Sequence, residues 1–336
     1  MKLKQHILRI GNSVAHRAGL HVLPLYQYRN MESAYYGPQW ESPRLPEEAR
    51  QYLTLENPRL LELRQRYKDH PASVHTQWSE ENLLQQLQLT AFRGENHYVY
   101  QVRYSPTAET YYVTAYYMRD HDRLGLFGRL TEDGMFGAYT LPFENGYTIS
   151  RDLLSSINEI NFLYRMLDRN ADDPVRLLDI GAGYGRLAHR LTEGLAAAST
   201  TCTDAVPMST FLSEFYLRYR RADRAQVLPL DEIDTLAGQK FDAVVNIHSF
   251  SECSHSVIAW WLQAIGRIDV KRMLIIPNAR DRFLSTERDG THQDFSMLLE
   301  QAGWRLTHKE PIYALSDVAC RGALYPNFCF HWFERG

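Results

Sequence analysis

The sequence predicts an α/β protein: a seven-stranded, mostly parallel, doubly wound sheet with a mainly helical N-terminal extension. Three observations carry that expectation. From Pro174 onward, short apolar runs alternate with amphipathic segments. The first run ends at Asp179 and passes through glycines at alternate positions, Gly181, Gly183 and Gly185, into a helical pattern. Only short turns are read between the last two runs, which predicts a closing antiparallel hairpin inserted into the sheet.

The elements follow in order. "PRLLELRQRYKDH" (58–70) and "SEENLLQQLQL" (79–89) have helical period, the second with Ser79 as a serine N-cap. A tyrosine-rich tract follows, with Tyr98, Tyr100, Tyr104, Tyr111, Tyr112, Tyr116 and Tyr117; its "TAETYYVTAYYMRD" is read as helix. Residues 127–146 are rich in glycine and turn formers and predict an ordered loop. "SRDLLSSINEINFLYRML" repeats its apolar residues every 3.6 positions behind Ser150, an N-cap. Beyond Pro174, strands are predicted at "VRLLDI", "STTCTD", "AQVLPL", "FDAVVNIHSF", "KRMLIIPN", "WRLTHKEPI" and "NFCFHWFER". Helices are predicted at "RLAHRLTEGL", "MSTFLSEFYLRYRRA", "SVIAWWLQAIGRI" and "HQDFSMLLEQAG". The texture changes near residue 174, and the chain is divided into 1–149 and 150–336, the second part opening with the helix behind Ser150.

Composition narrows the function. The chain has 336 residues, 44% of them apolar, enough for a sizeable core, and a formal net charge of -3 that calls for neither nucleic acid nor a membrane surface. Cys202, Cys253, Cys320 and Cys329 show no CxxC spacing, as expected of reduced thiols in a cytoplasmic protein. No apolar run approaches the ~20 residues of a membrane span. The first twenty residues are basic without a continuous apolar centre, so they are not read as a signal peptide; a solvated helix is preferred to a basic amphipathic arm that touches a membrane or partner.

The glycine turn carries the chemistry. Glycine lets backbone pass close to a ligand and adopt positive φ without strain, and such turns bind nucleotides at the carboxyl ends of parallel strands. A dinucleotide fingerprint would require glycine at Arg186, so that pattern fails. G-x-G-x-G after Asp179 instead resembles the first motif of class I methyltransferases, which bind S-adenosylmethionine. That donor carries an ammonium and a sulfonium but no phosphate, so a carboxylate at the first strand end suits it. Asp204, ending the second strand, is placed to accept the ribose hydroxyls, and Asp231, after the third, to meet the adenine amino group. In "FDAVVNIHSFSEC" four apolar residues lead to Asn246, His248, Ser249 and Glu252. Asn246 is assigned to the donor site. His248 and Glu252 are assigned to removing the acceptor proton, since methyl transfer to a hydroxyl needs alignment and a base. Asn278, which ends the fifth strand, is assigned to acceptor binding; the loop beside it, with Arg280, Asp281, Arg282, Glu287 and Asp289, is read as holding a polar acceptor or as ordinary charged surface, and its carboxylate and amide oxygens would also suit magnesium.

"LLDIGAGYGRLAHRL", "FDAVVNIHSFSEC" and "ISRDLLSSINEINFL" together resemble the bacterial sugar O-methyltransferase family, and are similar to the mycobacterial methylmannose polysaccharide methyltransferases. The resemblance runs from about Gly134 to the C-terminus. It implies S-adenosylmethionine as donor and a carbohydrate hydroxyl, such as a mannoside's, as acceptor. Tyrosines suit sugars by their apolar faces and polar tips. The tyrosine tract, with Tyr139, Glu144 and Tyr147, is therefore expected to wall the acceptor pocket, and "SAYYGPQW" (33–40) to form a lid or a surface turn. Rival expectations are an O-methyltransferase for phenolic or polyketide hydroxyls, and a noncatalytic cofactor-binding module. A homodimer is the commonest assembly and so the base-rate expectation.

Overall fold

The computed structural model describes residues 44–74, 78, 82–84, 87–94, 108–279, 282–313 and 328–336. The basic N-terminal segment, the 33–40 stretch, Ser79, Tyr98, Tyr100, Tyr104, Arg280, Asp281 and Cys320 lie outside the described residues.

Helices α1 (Glu47–Tyr52) and α2 (Pro58–Tyr67) come first, then α3 (Ala108–His121). A short antiparallel pair, β1 (Thr140–Pro142) and β2 (Thr148–Ser150), leads into α4 (Arg151–Met166). There follow β3 (Val175–Ile180), α5 (Arg186–Gly194), β4 (Ala198–Thr203), α6 (Pro207–Tyr219), β5 (Ala225–Val227), β6 (Ala243–Ile247), α7 (His255–Gly266), β7 (Arg272–Ile276), α8 (Ser296–Gln301), β8 (Arg305–Pro311) and β9 (Cys329–Glu334).

The last seven strands form one sheet in the order β5-β4-β3-β6-β7-β9-β8. Neighbours from β5 to β7 are parallel, and β9 runs antiparallel between β7 and β8. The inserted antiparallel pair is therefore present, but residues 312–328 separate its two strands where short turns were expected. The apolar strands are explained by burial on both faces. Leu178 and Ile180 of β3, Val244 of β6 and Met273 and Ile275 of β7 join one core with α1, α2, α6 and α7. Their alternating neighbours Leu177, Val245, Leu274 and Ile276 join the other, with α3, α4 and α5.

Local chemistry sets the helix starts. Ser150 is extended, and its Oγ accepts from the Leu153 amide at 3.2 Å, capping α4. Asn57 caps α2 by accepting from Arg59 N at 2.9 Å, and Pro58 takes the first position, where no amide hydrogen is needed.

Two further expectations are corrected here. The 127–146 loop contains β1, because three-residue strands are too short to show a period; the turn is held by Phe143 N donating to Tyr147 O at 2.6 Å. The third strand stops at Val227 and not at Leu230. Pro229 has no amide hydrogen for a ladder, and the Leu230 amide donates to Tyr67 Oη at 2.6 Å, drawing α2 onto that strand end. Among the described residues, no helix is long and apolar enough to cross a membrane.

Candidate functional site

A cavity of about 440 Å³ opens at the carboxyl ends of β3, β4 and β6. That is within the range of small-molecule sites, roughly 300–1,000 Å³. Its wall brings together Asp179, Gly181, Gly183, Asp204, His248, Glu252 and Asn278 from the sequence-predicted set.

The three glycines are bare for three different reasons. Gly181 sits at φ +73°, and a Cβ there would lie 2.0 Å from Ser249 Oγ, so the turn after β3 and the turn after β6 could not cross. Gly183, at φ +58°, points its amide at Asp204 Oδ2, 2.9 Å away. Gly185, at φ +84°, lies under Ser213 and Leu217 of α6 and does not line the cavity. Its assignment to the ligand is corrected: its bareness serves helix packing.

Five acidic groups line this space: Asp152, Glu159, Asp179, Asp204 and Glu252. Asp179 is 5% exposed, and among the described residues nothing donates a hydrogen bond to it. Burial pushes its carboxyl up to about 7, with Arg186 only partly opposing. Asp204 is pushed up to about 6 by burial, although the amides of Gly183 and Val206, each at 2.9 Å, donate to its two oxygens. It thus anchors the glycine turn and still lines the cavity. Glu252 accepts from Trp78 Nε1 at 2.6 Å and from Asn278 Nδ2 at 3.5 Å, yet burial raises it to about 7. Glu159 is held by Arg186 through contacts of 2.7 and 3.0 Å.

His248 has φ +67°, rare outside glycine, with its amide donating to Ile276 O at 2.7 Å. Burial and the nearby charges of Arg151 and Arg186 bring its imidazole down to about 3, so the ring is neutral at physiological pH. Asn278 lines the cavity with His248, and its Nδ2 reaches Glu252 at 3.5 Å.

Five further expectations are corrected. Asp231 faces away from the cavity, where both its oxygens accept from Arg66 at 2.8 and 2.9 Å. Asp231→Ala is expected to cost less than about 1 kcal/mol in a denaturant titration, as surface pairs do, and to leave donor affinity unchanged. Asn246 is fully buried and off the cavity: its Nδ2 donates to Ile180 O at 3.0 Å and its Oδ1 accepts from Phe250 N at 2.9 Å. Asn246→Ala is expected to lower unfolding free energy by about 1–3 kcal/mol, because both main-chain partners lose their contact in the core. Tyr139 packs edge-on against Tyr111, Glu144 pairs with Arg119 at 2.7 Å, and Tyr147 Oη donates to Leu130 O at 2.9 Å. All three lie outside the cavity wall. The charged loop is tied up locally, with Glu287 accepting from Ser285 and Asp289 from Thr291. Among the described residues, no group of three or more His, Cys, Asp or Glu could hold a metal ion.

The structure also adds residues. Arg151, Asp152, Ser155 and Glu159 of α4 line the cavity, as do Tyr184, Arg186, Trp78 and Trp261. The signal for the first group was present: polar residues 151, 155 and 159 repeat at four-residue spacing on a helix otherwise buried. Tyr184 Oη donates to Asp152 at 2.8 Å, and Asp152 is gripped by Arg93 at 2.7 Å. Arg93 and Arg190 both contact Glu132 as well, at 2.7 and 2.8 Å, so this wall stands on a buried network of two cations and two anions.

Numbered along the sheet, the strands run 3-2-1-4-5-7-6 with only strand 7 reversed. This is the class I methyltransferase fold. Solved structures similar to this chain include mitomycin 7-O-methyltransferase, at 18% identity over 55% of this chain and 56% of that one, TM-score 0.39. An S-adenosylmethionine-dependent methyltransferase from Aquifex aeolicus matches at 15% over 52% and 87%, TM-score 0.38. Magnesium protoporphyrin IX methyltransferase from Synechocystis PCC 6803, solved with its S-adenosylmethionine bound, matches at 15% over 68% and 97%, TM-score 0.39. The first match thus spans little more than half of that enzyme, and the fold assignment rests on the strand order. No family model matches the chain, and no curated relative matches it.

Proposed function

We propose that this protein is an S-adenosylmethionine-dependent O-methyltransferase acting on a hydroxyl of a sugar or oligosaccharide. The observation that carries the donor assignment is Asp179: a buried carboxylate without a hydrogen-bond donor among the described residues, facing a 440 Å³ cavity beside the glycine turn. An ammonium group answers that carboxylate, and a phosphate would be repelled by it. Ala205, Val206, Cys253 and Trp261 add an apolar wall suited to an adenine ring.

The bound donor supplies an electrophilic methyl group on a sulfonium. The chain supplies charge matching, position and proton removal. Asp179 meets the ammonium, and Asp204 faces the ribose hydroxyls while holding the glycine turn. Glu252, raised to about 7, is the base: it is half ionised near neutral pH and takes the acceptor proton at a carboxylate oxygen. His248, neutral and weakly basic, shapes the acceptor side of the cavity. The sugar acceptor is supported by the sequence resemblance and by the polar groups beside Glu252.

An acceptor screen with labelled donor tests this, run over mono-, di- and oligosaccharides and phenols, with magnesium or with chelator. A methylated saccharide is the expected product. Phenolic product alone would transfer the assignment to phenolic acceptors, and donor binding with no product from any hydroxyl compound would point to a noncatalytic module.

A further inference from the structure

The polar stripe on α4 has a use beyond the donor cavity. A second space of about 60 Å³ lies behind it, and the two share five wall residues: Arg151, Ser155, Glu159, His248 and Phe328. The inner space therefore adjoins the cavity beside the imidazole of His248. Its floor is apolar, with Leu154, Ile276 and Ile312, and its walls carry Thr110, Thr114 and Asn158.

Its wall carries two charged side chains, the Glu159 carboxylate and the Arg151 guanidinium. The Glu159 charge is answered by Arg186. Asn158 Nδ2 donates to Ile312 O at 2.5 Å, which fixes the amide, since a carbonyl oxygen can only accept. Asn158 Oδ1 then has no donor among the described residues, and neither does the Ser155 hydroxyl have a partner. An amide oxygen requires a ligand atom that brings a proton. A hydroxyl does so, whereas an ionised carboxylate or phosphate does not. The volume holds a few heavy atoms and not a pyranose ring, since a single water needs roughly 10–15 Å³ of such space.

We infer that this inner pocket is an acceptor subsite for one neutral hydroxyl or hydroxymethyl substituent adjoining the methylated hydroxyl, held by Asn158 and Ser155. It rests on the methyltransferase assignment. It replaces the acceptor wall expected from Tyr139, Glu144 and Tyr147. It also makes the stripe a specificity device: an acceptor without a second hydroxyl at the right distance leaves Asn158 Oδ1 unanswered when water is displaced.

Two variants test it. Thr110→Leu fills the pocket with an apolar side chain, and Ser155→Ala removes one hydroxyl while favouring the helix. Binding of methyl α-mannopyranoside is measured by saturation-transfer NMR, with and without S-adenosylhomocysteine, and donor affinity by calorimetry. The wild type is expected to bind the mannoside, with affinity falling about five- to tenfold in Thr110→Leu and less in Ser155→Ala. Donor affinity is expected to stay unchanged in Thr110→Leu, since Thr110 is not on the wall of the donor cavity. No mannoside binding by the wild type, or equal binding by wild type and Thr110→Leu, overturns the subsite. Loss of donor binding in the wild type instead overturns the methyltransferase assignment, so the two failures are distinguishable.

Discussion

Glu252→Gln is expected to lower turnover by about two to four orders of magnitude, the range for loss of a general base, while donor affinity stays near that of the wild type. The pH profile identifies the cause. Glu252 stands at about 7, so wild-type turnover rises roughly tenfold per pH unit below that value and levels off above it. In Glu252→Gln that rise disappears. His248, at about 3, is already deprotonated across the working range and predicts a flat profile between pH 5 and 8 if it were the base. A flat wild-type profile, or a glutamine variant with near-normal turnover, removes Glu252 from this role. The hydrogen bond from Trp78 fixes the carboxylate without ionising it fully, because burial outweighs both donors.

Asp179→Asn is expected to stabilise the ligand-free protein and weaken it as an enzyme. The carboxyl of Asp179 is raised in the folded state, from 3.8 to about 7, so the folded protein holds a proton that the unfolded chain releases. Its contribution to stability therefore falls as pH rises from about 4 to about 7, and the full cost is present above 7. At about 1.4 kcal/mol per pH unit, that cost is on the order of 4 kcal/mol as an upper bound. Asparagine removes it, so denaturant midpoints at pH 8 should rise while those at pH 4 barely change. Donor affinity should fall by about one to two orders of magnitude, the worth of a hydrogen bond to a charged group in a buried site. A variant that binds donor normally would remove Asp179 from the ammonium site.

The fold was legible because alternation survives in the letters. Leu177 and Leu178 face opposite cores, so a sheet covered on both sides needs apolar residues at both, and the run "VRLLDI" records this. The site was legible at the strand ends, where Asp179, Asp204, His248 and Glu252 meet in one cavity. It was illegible where a residue type serves packing and binding equally. Gly185 carries the same letter as Gly181, yet only the structure shows α6 lying on it. Asp231 sits at the expected strand end, but α2 brings Arg66 to it from 165 positions away. Asn246 looks like a site amide, and its two main-chain partners at Ile180 and Phe250 are visible only in three dimensions. The drop of His248 to about 3 likewise depends on burial and on two arginines brought in by other elements.

The central claim is that the buried carboxylate after β3 holds the ammonium of S-adenosylmethionine. Calorimetric titration of the wild type with that donor at pH 6.5, repeated in buffers of different ionisation enthalpy, tests it most directly. Near that pH Asp179 is mostly protonated, so one donor per chain should bind with net proton release, and the release should shrink in Asp179→Asn. Absence of binding, or binding with the same proton exchange in both proteins, would contradict it.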